Sequence, residues 1–405
     1  MVSNTGTWMQ RVAQDWLVLE LAVGSGATAL GITTGLQFLP FLLLTPIAGL
    51  VADRMPKQRL LQLTNLGMAL PAAVLGVLAV TGTAEVWHVY VLAFLLGSAS
   101  AFDAPARQSF VSEIVDPVDL TNAVGLNSAS FNAARLVGPG LAGVLIAALG
   151  GGAVGTGWVI LLNAVSYAAP IWSLRRLDVS RIDAAPANRG PGAIREGVAY
   201  VRARPDLVLV LSLVFFAGTF GLNFQITSAL MATEVFGKGP EEFGLLGSFL
   251  AVGSLAGALL AARRPHVRHR LVVGSALLFG ATVVLAGLMP TYLTFALLAP
   301  VTGLTALTFI TSANTYMQLH TDAGVRGRVM ALYLMIFMGG TPVGAPIIGW
   351  IGHEYGARWT LLGGGLLTIA GVALSAVVFL RLERARSERV APADERAVEA
   401  APAAF

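Results

Sequence analysis

Arg11, Asp15 and Arg135 carry charge in the middle of otherwise apolar stretches. A charged side chain at the centre of a bilayer costs about 2.5–3.5 kcal/mol on insertion scales, so such residues are functional candidates by default. Arg11 and Asp15 lie four positions apart, which puts them on one helical face within reach of each other. A carboxylate in that setting can take up and release a proton as water reaches it from alternate sides. The plainer reading is a static ion pair that neutralises two buried charges. Arg135 stands three residues before Gly138 and shares the face of a bendable segment. In one reading it is a mobile cation that exchanges Asp15 for substrate or for a helix carbonyl. In the other it snorkels or pairs with Asn132 and never moves.

Other chemistries find no support. Cysteine is absent, so thiolate metal sites, thiol nucleophiles and disulfides are excluded. Lysine occurs only at Lys57 and Lys238, and neither completes a phosphate-cradling P-loop. The five histidines are scattered, and His266 with His269 lacks a nearby carboxylate, so no metal site is expected. No serine or threonine has an evident base partner, and an enzyme is a poor fit. No cofactor is implied, and uphill work must draw on a gradient.

The elements that must position these charges are membrane helices. Of 405 residues, 56% are apolar and 12% charged, about half the charge of a soluble domain. Windows of about 20 apolar residues recur at 4–23, 28–52, 60–82, 86–104, 120–149, 156–175, 207–233, 243–262, 271–289, 292–318, 328–352 and 357–380. Backbone amides left unpaired in lipid are too costly for anything but helices here, because the alternation of a membrane barrel is missing. Of 26 basic residues, 22 fall in the connections after even-numbered spans and in the tail, which predicts that both termini are cytoplasmic. The net charge of +4 is then explained by arginines facing an anionic leaflet, without nucleic acid. The first span is polar, with Gln10, Gln14 and Glu20 beside its charged pair, and looks clipped at its start. No cleavable signal peptide is seen. Trp87, Tyr90, Tyr292, Trp350, Tyr355 and Trp359 fall near predicted outer ends, as interfacial anchors do.

The longest polar connection splits the spans six and six. The division expected is a first bundle at 1–178, a linker at 179–205, a second bundle at 206–380 and a charged tail at 381–405. Within the linker AAPANRGPG reads as flexible, while Ile194, Val198 and Val201 beside Arg195, Arg202 and Arg204 describe a short amphipathic helix, lying on the membrane or solvated. The halves echo each other. GLVADRMPKQR (Gly49 to Arg59) follows the second span and GALLAARRPHVRHR (Gly257 to Arg270) follows the eighth. Two six-helix bundles with a substrate path between them are the architecture this suggests.

Gly49, Asp53, Arg54 and Arg59, at the spacing G-x-x-x-D-R-x-x-x-x-R, resemble the signature loop of the major facilitator superfamily, with Pro56 replacing its usual glycine. With Lys57 these residues form a turn of one acid and three bases that can pair with a neighbouring helix end and release it. Gly138, Pro139, Gly140 and Gly143 resemble the motif that accompanies drug/proton antiporters of that superfamily; small residues and a proline make a pliable helix contact in any case. The stretch from Asp103 to Gly143, with TWMQRVAQDWLVLEL, REGVAYVRARPDL and GRVMALYLMIFMGGTPVG, is similar to the enterobactin-exporter and macrolide-efflux branch, the transmembrane secretion effectors. Related chains carry additional residues before Ser3.

The resemblance implies an all-α integral membrane fold of twelve transmembrane helices in two pseudo-symmetric bundles, in a bacterial inner membrane. It implies export of a small organic molecule, a siderophore or hydrophobic drug, in exchange for protons and as a monomer. A proton-coupled importer and a non-transporting sensor or assembly factor are the alternatives. Asp103 and Arg107 are candidates for a cytoplasmic gate. Candidates for the cavity wall are Trp16, Gln37, Phe38, Asn127, Phe131, Asn132, Asn223, Phe224, Gln225, Asn314 and Gln318, a mixture suited to an amphiphilic or aromatic substrate.

Overall fold

The computed structural model describes residues 1–115, 118–177, 193–262, 267–322 and 324–399. The flexible linker expected at AAPANRGPG, and Arg263, Arg264 and His266, lie outside the described residues, as does the side chain of Asp53. Helices account for the chain in order: α1 (Val2–Leu21), α2 (Gly26–Arg54), α3 (Lys57–Val80), α4 (Val86–Ile114), α5 (Leu120–Ala148), α6 (Gly152–Ser166), α7 (Ala168–Arg176), α8 (Ala193–Arg202) and α9 (Pro205–Phe216). After a π-helical turn (Ala217–Gly221) come α10 (Phe224–Leu230) and a second π-helical turn (Met231–Val235). The rest is α11 (Pro240–Ala262), α12 (His269–Gly287), α13 (Tyr292–Leu319), α14 (Arg326–Tyr355) and α15 (Ala357–Glu399).

Eleven helical segments among the described residues are long and apolar enough to cross a bilayer, counting α6 with α7 and the broken run Pro205–Val235 as one each. α1, with its polar side chains, is the twelfth element of the same length. Several helices overrun the apolar windows: α4 continues past residue 104 to Ile114, and α15 past 380 to Glu399. Charge ends the part that lipid can hold, but glutamate, arginine and alanine are good helix formers and keep the backbone helical in water.

Packing sorts the spans into two groups. In the first, α1 lies on α5 and α6, α2 on α4, and α3 on α4 and α6. In the second, α11 lies on α13, α12 on α13 and α15, and α9 on α15. The two groups meet chiefly along α2 with α14 and α5 with α11. These are the second span with the eleventh and the fifth with the eighth, so the two seams exchange under the same pseudo-twofold relation. The linker helix α8 rests on protein, against α14 and α9; Val201 is buried, Glu196 is ion-paired with Arg328, and the Tyr200 hydroxyl accepts from the Asp322 amide at 3.3 Å.

Both seams depend on small residues. A Cβ at Gly31 would stand 2.6 Å from the Ala345 carbonyl oxygen, and one at Gly247 2.8 Å from the Pro139 ring. Such backbone approach is what glycine permits in a membrane, where dispersion takes the place of a hydrophobic driving force between helices. The tight positions on α2 (Gly31, Gly35), α14 (Pro346, Gly349), α5 (Pro139, Gly143) and α11 (Pro240, Gly244) all sit toward the ends away from the arginine-rich connections. The exposed Trp87, Trp350, Tyr355 and Trp359 lie at those same ends. At the charge-rich end the helices part. Gly125 to Ala129 of α5 are exposed in succession, more than a full turn with no packed face. A cleft therefore opens between the groups at the arginine-rich end and is closed at the other.

The closed seam is testable because the native chain has no cysteine. A Cβ built at Gly140 lies 3.9 Å from Ser248 Cβ, inside the about 3.5–4.5 Å range of a disulfide. The double variant Gly140→Cys with Ser248→Cys should cross-link under mild oxidation, read as a linked peptide by mass spectrometry. Failure to link while a pair within α11 and α13 does would contradict this closure.

Candidate functional site

α1 presents its polar face to the protein interior: Gln10, Gln14 and Asp15 are buried, Asp15 with 4% of its surface exposed. Gln14 donates to the Gln37 side chain at 3.2 Å, and Asn163 of α6 donates to Gln10. Asp15 is left differently, for its Oδ2 is buried without a hydrogen-bond partner. Arg11, one turn away, does not meet it; no ion pair joins the two. The Arg11 guanidinium instead lies 4.6 Å from the centre of the Trp8 ring and 5.8 Å from that of Phe38.

Arg135 arrives at the same ring from α5. Its guanidinium is 5.6 Å from the Trp8 centroid, and Nη2 donates to Ser254 of α11 at 3.3 Å. Trp8 thus serves two cations, with Phe131 edge-on at 5.9 Å and its Cβ against Gly138. A cation over a desolvated indole face is worth about 2 kcal/mol, which makes this ring a substitute for the missing carboxylate contact. The pairing of Arg135 with Asn132 does not occur; Asn132 donates to the Ser128 carbonyl of its own helix at 2.8 Å.

The Gly138-Pro139-Gly140 segment faces two neighbours at once. Gly138 abuts α1, while Pro139, Gly140 and Gly143 abut α11, and the Gly140 amide donates to Ser248 Oγ at 3.2 Å. Pro139 has no N–H, so the Arg135 carbonyl loses its helical partner, and the interruption of the ladder coincides with the buried cation. Of the signature turn, Lys57 pairs with Glu113 at the end of α4 and Gln58 donates to the carbonyls of Leu174 and Leu177, while Arg54 and Arg59 are exposed. Asp103 is buried and accepts from Thr64 at 2.9 Å, from Asn65 at 3.4 Å and from Arg107, whose other amine donates to Asn4 at 3.2 Å. This cluster ties α1, α3 and α4 together at the charge-rich end.

The cavity candidates divide. Phe38 lies beside Arg11, Phe131 beside Trp8 and Gln37 against Gln14, while Asn127 is exposed on the free part of α5. Trp16 lies instead in the closed seam, stacked on Phe243 of α11 at 6.4 Å and donating to Glu20 at 2.6 Å. Gln318 is exposed near the end of α13 and bonds to Asn314 of its own helix. Gln225 is half-buried, and Phe224 packs edge-on against Phe279 at 5.9 Å. Asn223 occupies the break between the π-helical turn and α10. It donates to the Thr219 carbonyl at 2.8 Å, yet its Oδ1 has no partner, and neither have the hydroxyls of Thr219 and Thr227 on the same face or of Ser312 on α13.

Trp8, Thr219, Thr227 and Ser312 were not foreseen. Trp8 was visible only as an aromatic three residues before Arg11. The threonines and the serine look like ordinary membrane-helix residues in the sequence; that their buried hydroxyls have no partner is a property of the packed structure. Among the described residues no group of acids and histidines could hold a metal ion.

A family model described as a transmembrane secretion effector matches residues 1–402. Similar characterised chains include the staphyloferrin A transporter of Staphylococcus aureus, 25% identical over 90% of each chain. The multidrug efflux pump Tap of Mycolicibacterium fortuitum is 28% identical over 89% of each, and macrolide efflux protein A of Streptococcus pyogenes 22% identical over 88% of this chain and 89% of its own. Among solved structures, a bacterial homologue of the lysosomal transporter Spinster aligns with a TM-score of 0.68 at 17% identity, covering 94% of this chain and 96% of that one. A bacterial homologue of the iron transporter ferroportin gives 0.67, at 17% identity over 94% and 98%. The last two show a shared fold.

Asp103 offers a direct check of the cluster that ties α1, α3 and α4. Asp103→Leu removes the acceptor shared by Thr64, Asn65 and Arg107; Thr64 and Asn65 keep the Leu61 carbonyl, so the loss is of the three bonds to the carboxylate, and the unfolding free energy in detergent should fall by about 1–3 kcal/mol. Thr64→Val, which removes one donor and strands nothing, should fall by less; equal melting curves for Asp103→Leu and wild type would remove the cluster from the account.

Proposed function

Because the chain belongs to the transmembrane secretion effector family of the major facilitator superfamily, we propose that this inner-membrane transporter exports a small organic molecule, a siderophore or hydrophobic drug, in exchange for protons. The named substrates of the relatives support that class: a siderophore, macrolides and multiple drugs. Both termini are cytoplasmic in this reading, so the open cleft faces the cytoplasm and the tight seams close the outer side. Residues 1–178 rock against 206–380 around the midplane, with 179–205 as the tether, and the protein acts as a monomer.

The observation that carries the proposal is the buried Asp15 carboxyl group, whose Oδ2 has no partner, one turn from an arginine that rests on Trp8 beside Arg135. The carboxyl receives a proton from the outer side when the seams part. Neutral Asp15 needs no cation, and Arg11 stays on the indole. Substrate entering from the cytoplasm competes for the Trp8 and Phe131 faces and frees the guanidinium of Arg11. The freed cation turns to Asp15 and favours its ionised form, so the proton leaves toward the cytoplasm. Arg135, bonded to Ser254 across the α5–α11 seam, transmits the change to the other bundle through the Pro139 bend. An amphiphilic or aromatic substrate fits this wall, since it offers π faces and amides and no fixed anion beyond Asp15.

Proteoliposomes with an imposed pH gradient, and a macrolide and a siderophore as probes, test this reading. Wild type should move at least one probe in the exporting direction, with counterflow of protons. Asp15→Asn should lose gradient-driven transport at least tenfold while retaining downhill exchange. Undiminished gradient-driven export by Asp15→Asn would sink the coupling role, and probe flux along the proton flux would establish an importer.

A further inference from the structure

The charge-rich end of the second bundle holds a cavity of about 310 Å³, lined by Arg268, His269 and Arg270 at the start of α12 and by Tyr316 and His320 at the end of α13. It lies apart from the cleft, and none of its residues takes part in the export reading. By volume it holds about ten waters, enough for a phosphate group and part of what the group is attached to.

Two acids stand near it, Asp206 and Glu383. Asp206 on α9 accepts two bonds from Arg204, both at 2.9 Å, and a third from the Tyr316 hydroxyl at 3.1 Å. Glu383, exposed on α15, acts on Tyr316. No ion pair among the described residues uses Arg268 or Arg270, and both are exposed. The two imidazoles are held in place. His269 lies against Phe379 with ring centres 5.6 Å apart; His320 stacks on Tyr316 at 3.8 Å, with Nδ1 3.0 Å from the Tyr316 carbonyl. A carbonyl only accepts, so Nδ1 carries the hydrogen, and Nε2 is left as a further donor whenever the ring is protonated. α12 also starts here without a side-chain cap, so its first-turn amides face the same end.

We infer that this cavity binds a phosphate ester, its phosphate seated between Arg268 and Arg270. Two guanidiniums, two imidazoles and a helix start supply more donors than the two oxygens of a carboxylate can use, and they match the oxygens of a phosphate. The site lies among the connections that hold most of the basic residues, at the level where lipid headgroups sit. The same chemistry is met by the headgroup of an anionic phospholipid or by a soluble phosphate ester.

Purified, delipidated full-length protein separates the sources. Native mass spectrometry would titrate phosphatidylglycerol against phosphatidylcholine, and thermal melts would follow glycerol phosphate against glycerol. Retention of phosphatidylglycerol over phosphatidylcholine identifies a lipid site, and a rise in Tm with glycerol phosphate alone identifies a soluble ligand. In either case affinity should fall about tenfold for each arginine removed, in Arg268→Gln and in the double variant with Arg270→Gln. Arg381→Gln with Arg384→Gln, which alters exposed charge on α15, should bind as wild type does. Both variants change exposed residues, and gel filtration verifies that each is folded. The proposal is overturned if neither anion binds, or if the Arg268/Arg270 double variant binds as tightly as wild type.

Discussion

Hydrocarbon does not solvate charge, and the arrangement of this protein follows from where its few buried ions find substitutes for water. Arg11, Asp15 and Arg135 are brought to one place, but the expected acid–base contact is absent. The indole of Trp8 takes both cations on its π system, and one carboxylate oxygen stays without a partner. An arrangement in which each ion has a second-best partner is one that a small perturbation can re-sort. A tight ion pair would be harder to open, because breaking it in low dielectric exposes both charges.

The same solvent explains how the bundles touch. Between membrane helices the apolar surface gains nothing by leaving lipid, so contact depends on close backbone approach. Gly31, Gly35, Gly143, Gly244 and Gly349 provide that approach only toward one end of each seam. Their localisation leaves the opposite end of α5 bare and forms the cleft. Pro139 connects the two features, for it abuts α11 in the seam and interrupts the hydrogen-bond ladder at Arg135.

The broken seventh span is a second polar centre. Two π-helical turns and the Asn223 break interrupt Pro205–Val235, and the hydroxyls of Thr219 and Thr227 and the Oδ1 of Asn223 are left without partners inside the protein. Discontinuous helices in transporters commonly place such groups where a solute passes. The two polar centres belong to different bundles, one on α1 and one on the run from α9 to α10.

The sequence by itself determined the membrane fold and the division of its spans, because hydropathy and the distribution of arginine are local properties that survive without coordinates. It also singled out Arg11, Asp15, Arg135 and the Gly138–Gly143 motif, since charge and proline in an apolar helix are conspicuous in one dimension. It did not reveal Trp8 as the partner of both arginines, the placement of Trp16 in the closed seam, or the orphaned hydroxyls of the broken span. Those depend on the direction a side chain takes and on which helix lies opposite, and each pairing joins residues far apart in the chain. The phosphate cavity has the same origin. Arg268 and His320 are separated by a helix pair, and only the packing of α12 on α13 brings them to one mouth.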